Sequence, residues 1–292
     1  MRPDHEDPAI HALMSASPAD QLAWLRFRGY PPAVLLALTN ACAQRCFFCA
    51  GPGTTHVERV TSDTEIRAHL GGRPDGVDRL LVGGNEPTLH PSFEWILRSA
   101  RTLGYTRVEL MTNGATLRRH AARWASLGLA EVVVPLYGTN AAEHDAVAGV
   151  PCFDAVVAGL DEAYAAGVRV RVHTLFLRRT LHALGHLAGF VRQRYGERLA
   201  VGLPRSKPVW DWRAEAPTFE EIRASLPDVA LLVAPLCLRW GAGDGPIPGA
   251  GEPDEAALLA RLYFASQARV YPAACGGCPS RERCPGVVAA YA

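Results

Sequence analysis

AVLLALTNACAQRCFFC, residues 33–49, runs an apolar stretch into a loop that carries cysteines at 42, 46 and 49. The apolar run AVLLALT, residues 33–39, reads as a strand candidate. Similar runs recur outward from it: RLLVGG (79–84), RVELMTNG (107–114), EVVVPLYG (131–138), VRVRVHT (168–174) and RLAVGLP (198–204). Helical patterns, with apolar residues three and four apart, fill the intervals at 62–70, 92–103, 115–127, 153–166 and 180–195. Strands alternating with helices predict right-handed βαβ crossovers and a parallel sheet. Six such units make an α/β fold, as an incomplete barrel or a doubly wound sheet, and periodicity does not choose between them. In both, ligands bind at the carboxyl ends of the strands. The cysteine loop, GGNEPT, TNG and YGTN all sit there.

The chain has 292 residues, a hydrophobic fraction of 49% and a formal net charge of +1, which reads as a globular protein with no electrostatic case for nucleic acid or an anionic membrane. The N-terminal MRPDHEDPAIHALMSASPAD has acidic residues early and no apolar h-region, and no apolar run approaches the roughly 18 residues of a membrane span. A cytoplasmic location is expected, where thiols stay reduced and clustered cysteines hold metals. The eight cysteines divide into Cys42, Cys46 and Cys49, then Cys237, Cys275, Cys278 and Cys284, with Cys152 alone. That grouping predicts two metal sites.

Three thiolates at X3 then X2 spacing suit a metal or cluster whose ligands come from one loop. Zinc wants a fourth protein ligand, which His56 could supply. A cubane iron–sulfur cluster on three cysteines keeps one iron open to a non-protein ligand. The spacing alone leaves both standing. CAQRCFFC followed by GGNEPT and MTNG, however, resembles the radical S-adenosylmethionine (radical SAM) superfamily, with its CX3CX2C loop and GGEP element. The resemblance implies a partial (β/α)6 barrel in which Cys42, Cys46 and Cys49 hold a [4Fe–4S] cluster whose fourth iron chelates SAM. It also implies an external reductant such as flavodoxin or ferredoxin. Phe48, the aromatic residue before the third cysteine, would pack near the adenine. Gly83, Gly84, Asn85 and Glu86 would contact the methionine ammonium, with Asn85 standing where the family has glycine. Asn113 of MTNG joins this cofactor-binding set. VPLYGTN resembles a ribose-contacting strand end that commonly carries a serine and an acid. Pro135 and Tyr137 take those positions, and Tyr137 is the candidate contact.

CGGCPSRERC near the C-terminus is CX2CX5C, and Cys237 in APLCLRW offers a fourth thiolate. The spacing resembles half of the SPASM region of radical SAM enzymes that modify peptides, with Val288 where a further cysteine is expected. One auxiliary [4Fe–4S] cluster on Cys237, Cys275, Cys278 and Cys284 follows, with a four-cysteine zinc site as the alternative. The domain expectation is an N-terminal helical extension over 1–32, a barrel over 33–209 and a loop-rich auxiliary-cluster region over 210–292.

In VRVRVHT, alternation puts Val168, Val170 and Val172 on one face and Arg169, Arg171 and His173 on the other. In a barrel covered by helices the valines face outward and the polar set faces the lumen. His173, nearest the strand end, is a candidate catalytic residue, and Arg171 either contacts cofactor or pairs internally, for instance with Glu109. Cys152 is a buried small hydrophobe or a hydrogen-donating thiol. Arg205 and Lys207 could bind a carboxylate; Trp210 and Trp212, flanking Asp211, could line a pocket. The expected function is hydrogen abstraction from an unactivated carbon by a deoxyadenosyl radical, with a ribosomally made peptide as substrate. A sugar or aminocyclitol dehydrogenase and a zinc-stabilised binding protein are the alternatives.

Overall fold

The computed structural model of the chain describes residues 13–27, 30–49, 60–197, 199–204, 211–225, 230–232, 269–278 and 287–288. Among the described residues, seven strands form one sheet in chain order, every neighbouring pair parallel: β1 (Val34–Ala37), β2 (Arg79–Gly83), β3 (Arg107–Met111), β4 (Leu129–Pro135), β5 (Arg169–Leu175), β6 (Ala200–Gly202) and β7 (Ala230–Leu232). Helices α1 (Pro18–Phe27), α2 (Asp63–Gly71), α3 (Phe93–Thr102), α4 (Leu117–Ser126), α5 (Ala141–Ala148), α6 (Phe153–Ala165) and α7 (Leu184–Tyr195) precede or link the strands. Beyond β6 come α8 (Trp212–Glu215) and α9 (Phe219–Ser225), and β8 (Arg269–Val270) pairs antiparallel with β9 (Val287–Val288). This is an α/β sheet with helices, wound as the partial barrel that the family resemblance implies. No helix among the described residues is long and apolar enough to cross a membrane.

The two-residue period divides the core into layers. Val34 and Leu36 of β1, Val132 and Val134 of β4, and Val170 and Val172 of β5 pack with Ile96, Leu117, Leu160 and Leu187 of the helices. The alternate residues Val133 and Leu175 join Tyr137, Val147, Phe47 and Phe48 in a separate cluster on the other face. The valines of VRVRVHT therefore lie under the helices, as expected. Local signals set the helix ends. Ser62 and Glu65 form a capping box at α2, in which the Ser62 hydroxyl takes the Glu65 N–H and Glu65 takes the Ser62 N–H. Left-handed Gly149 and Gly196 close α5 and α7.

Three elements depart from the sequence reading. Helix α5 was not anticipated. β4 starts at Leu129 and stops at Pro135, so Leu136, Tyr137 and Gly138 belong to the loop after it. The sheet also carries a seventh strand, Ala230–Leu232, beyond the boundary expected at 209. At the opposite edge the buried Gln21 of α1 completes β1: its Oε1 accepts the Leu35 N–H (2.8 Å) and its Nε2 donates to Leu35 O (2.9 Å) and Leu13 O (3.0 Å).

Candidate functional site

The loops after β1, β2 and β3 are bonded into one unit. Asn85 N donates to Thr39 O (2.9 Å), Glu86 N to Ala41 O (3.0 Å), and Asn85 Nδ2 to Asn40 O (2.6 Å). Asn85 thus uses its side chain to tie GGNEP to the root of the cysteine loop. Gly84 is required by the same approach: it sits at φ +124°, and a Cβ there would stand 2.5 Å from Thr39 O. Gly83 ends β2 beside Ala37, and its carbonyl takes the Leu38 N–H at 3.0 Å.

Glu86 is 1% exposed and collects donors from two loops. Its Oε1 accepts from Thr88 N (3.1 Å), Thr88 Oγ1 (2.6 Å) and Thr112 Oγ1 (2.8 Å), and its Oε2 accepts from Asn113 N (2.7 Å). Burial raises its pKa while these bonds pull the other way. Every neighbour donates, so the arrangement suits a carboxylate, and Oε2 keeps acceptor capacity for a further donor. Asn113 also sends its Nδ2 to Cys42 Sγ at 3.7 Å, linking the carboxylate to the first cysteine.

Cys42 and Cys46 are half-buried and Cys49 is exposed; all three are free thiols. Burial raises the pKa of Cys42 and drives that of Cys46 far above the ordinary thiol range, and the neighbouring thiolates raise both further. Thiolates that repel one another in this way are relieved by a bound cation, which is what a metal or cluster supplies. The loop is docked on the end of α5. Arg45 N donates to Ala148 O (2.9 Å), and a Cβ on Gly149 (φ +72°) would collide with the Arg45 carbonyl, 2.9 Å from its carbon and closer to its oxygen. His56 lies outside the described residues.

Aromatic packing continues from the loop. Phe48 meets Tyr137 edge-on at 5.7 Å, and Tyr137 stacks on His144 at 5.4 Å. The Arg179 guanidinium lies 4.1 Å over Phe47 and is ion-paired with Glu215, joining the cysteine loop to α8. His144 accepts the Tyr137 N–H at Nδ1 (3.3 Å), and burial lowers its pKa to about 4. His144, Asp145 and Cys152 bring potential ligand atoms within 4.8 Å of one another. The bonding argues against a metal there. An Nδ1 that accepts leaves the proton on Nε2, and Asp145 Oδ1 already takes the N–H groups of Cys152 and Phe153, both at 2.9 Å. Sequence reasoning missed Gln44, Thr112, Arg179 and His144, whose partners are distant in the chain and leave no local pattern.

The remaining candidates are dispersed. His173, near the end of β5, pairs in register with Pro135 and Ala200, and burial lowers its pKa to about 4. Arg171 pairs internally, with Glu131 (3.3 Å) and Glu197 (2.9 Å). Cys152 is buried in the helix-side core at the start of α6, and burial pushes its thiol up to about 11. Cys275 and Cys278 share one turn, with the Cys278 N–H bonded to Cys275 O at 3.3 Å. Asp211 caps α8 by accepting from Arg213 N and Ala214 N, and Trp212 opens that helix. Cys237, Cys284, Arg205, Lys207 and Trp210 lie outside the described residues.

The radical SAM superfamily model matches residues 36–191, just over half of the chain and all of the site's loops. Among solved structures, native anSMEcpe with bound AdoMet is similar at 16% identity and TM-score 0.55, over 65% of this chain and 57% of that one. SuiB of Streptococcus suis bound to precursor peptide SuiA gives 15% identity and TM-score 0.52, over 64% and 43%. Methylornithine synthase (PylB) gives 12% and 0.53, over 78% and 75%. The chain spans about half the length of the first two. With the match covering the residues that build the site, the chain belongs to the radical SAM superfamily, whose members use a [4Fe–4S] cluster and SAM.

Proposed function

We propose that this enzyme abstracts hydrogen from an unactivated carbon of a ribosomally made peptide. The observation that carries the reading is the bonded unit of Cys42, Asn113 and Glu86, which ties the first cysteine of the CX3CX2C loop to a buried carboxylate with acceptor capacity to spare. Cys42, Cys46 and Cys49 hold the cluster. Glu86 accepts the methionine ammonium through Oε2, with the Gly83–Asn85 backbone beside it. Phe48 and Tyr137 flank the adenosine. His173 is the β5 candidate for contact with cofactor or substrate, while Arg171, held by Glu131 and Glu197, would act there only by exchanging those partners. When bound, the cluster and SAM supply a 5′-deoxyadenosyl radical as the hydrogen acceptor.

A peptide substrate is supported by the fold likeness to SuiB bound to SuiA and to anSMEcpe bound to a Cp18Cys peptide, and by the SPASM-like cysteine spacing. The CX2C turn at Cys275 and Cys278 supports one auxiliary cluster, completed by Cys237 and Cys284, in a C-terminal region from about residue 210. Cys152 packs in the helix-side core beside Gln44 and not among Phe47, Phe48 and Tyr137 on the lumen face, so the reading gives it no role in returning hydrogen to a substrate. The expected product is therefore lighter by two hydrogens, as in a crosslink or dehydrogenation. A small-molecule substrate is the second reading, favoured by the broader overlap with methylornithine synthase.

Anaerobic reconstitution tests the whole reading. About eight irons per chain are expected for two cubanes, falling to about four in the Cys42→Ala, Cys46→Ala, Cys49→Ala triple variant. Reductant and SAM should then yield 5′-deoxyadenosine. Stoichiometric zinc without iron at the N-terminal cysteines would overturn the radical chemistry; zinc confined to the C-terminal set would overturn only the auxiliary cluster.

A further inference from the structure

Gln44, the middle one of the three residues between the first two cysteines, reaches two sulfurs at once. Its Nε2 donates to Cys152 Sγ at 3.4 Å, and its Oε1 accepts from Cys46 Sγ at 3.6 Å. Cys152 is held for this contact, because its own N–H and that of Phe153 are bonded to Asp145 Oδ1. The bonding shown requires a proton on Cys46. A Cys46 that ligates a cluster is a thiolate, which accepts and cannot donate. The amide oxygen would then face a negative sulfur with no hydrogen between them, while the amide nitrogen pointed at a neutral thiol.

Turning the amide by half a revolution about its last bond removes the conflict. Nε2 then donates to the Cys46 thiolate, and Oε1 takes the Cys152 S–H in place of the Asp145 carboxylate, the thiol's other acceptor. The two ends of a glutamine amide have nearly the same shape, so the turn needs no change in packing. We propose that Cys152 and Gln44 form a hydrogen-bond relay onto the Cys46 ligand that raises the reduction potential of the SAM-binding cluster. The added electron places more negative charge on the cluster sulfurs, so an N–H aimed at one stabilises the reduced state more than the oxidised one. Cys152 acts here through Gln44 as a positioning residue: its S–H fixes which end of the amide faces the ligand. The inference rests on the assignment of Cys46 as a cluster ligand.

The test is an EPR-monitored redox titration of the full-length reconstituted protein without substrate, following the signal that changes when SAM is added. Gln44→Ala should lower the midpoint potential by a shift of the order of tenfold in the reduction equilibrium, about 59 mV for one electron. Cys152→Ala should lower it in the same direction, and Cys152→Ser, which keeps a hydroxyl donor, should restore it. Equal effects of Ala and Ser, or a potential that rises in Gln44→Ala, would overturn the relay. A measurement on the unaltered chain covers variants that fail to fold. Protein made by cell-free synthesis with side-chain 15N-glutamine should show a nitrogen weakly coupled to the reduced cluster, and its absence would equally refute the proposal. Should the three cysteines bind no cluster, the assignment of ligands fails; a cluster indifferent to Gln44 defeats the relay alone.

Discussion

Replacing Gly149 by alanine separates the stability of the barrel from the placement of the cysteine loop. Gly149 and Gly196 both end a helix in the left-handed region, at φ +72° and +68°, each with its N–H on the carbonyl four residues back. They differ in surroundings. A Cβ on Gly196 meets nothing within 4 Å, whereas one on Gly149 runs into the Arg45 carbonyl, 2.9 Å from its carbon atom. Gly196→Ala therefore carries only the left-handed penalty, about 1 kcal/mol. Gly149→Ala adds an overpacking term of roughly 1–3 kcal/mol, because a backbone group must move. At about 2–4 °C per kcal/mol, the melting temperature should fall by about 2–4 °C in the first case and by several degrees more in the second. The larger effect is local: displacing Arg45 shifts Cys46 and weakens the Arg45–Ala148 bond, so iron retained after desalting should drop in Gly149→Ala and hold in Gly196→Ala. Melting curves and iron content read both. Matching melting temperatures and iron contents for the two variants would refute the claim that the loop is seated on the end of α5.

Glu86→Gln should weaken SAM binding by about ten- to a hundredfold in Kd, the range for a hydrogen bond to a charged group of roughly 1.5–3 kcal/mol, with cluster content retained. An unchanged Kd in calorimetry would mean that Glu86 serves only to brace Thr88, Thr112 and Asn113. Acid sensitivity is expected from His144 and His173, whose folded pKa values of about 4 lie below the ordinary 6.5. Groups depressed in the folded state contribute stability that is present above pH 6.5 and lost as the pH falls through 4, about 3 kcal/mol for each imidazole. Denaturant titrations of His144→Phe between pH 7 and 4 should show a shallower loss than the parent chain, and parallel slopes would refute the assignment.

The parallel strands were legible as short apolar runs, such as RLLVG, which is buried at every position, or as the two-residue alternation of VRVRVHT. Helix α5 was not. AAEHDAVA has no apolar stripe, and its buried positions include His144, whose place is decided by Tyr137. β7 contributes only Ala230–Leu232 to the sheet, and a three-residue strand among other apolar residues has no period to detect. In the site, cysteine spacing and GGNEP were readable as local patterns. The seat of the loop on Gly149 and the Gln44–Cys152 contact were not, since the latter spans 108 positions and exists only once α5 and α6 are packed. Arg171 shows the same limit: alternation placed it on the polar face, but its partners Glu131 and Glu197 come from elements set by the tertiary fold.

Gln21 bears on how the sheet avoids joining another chain. β1 is an outermost strand, and such a strand normally offers its free amides and carbonyls to any extended segment that passes. One glutamine side chain imitates the missing neighbour at Leu35, meeting its N–H and sharing its C=O with the His69 ring. Leu13 and Leu25 cover the apolar residues Ala33, Leu35 and Leu81 beneath it. A chain trimmed to begin at residue 33 would keep every loop of the site and lose this seal. Its exposed edge would then serve as a template for strand addition, so the helix before β1 guards the protein against aggregation.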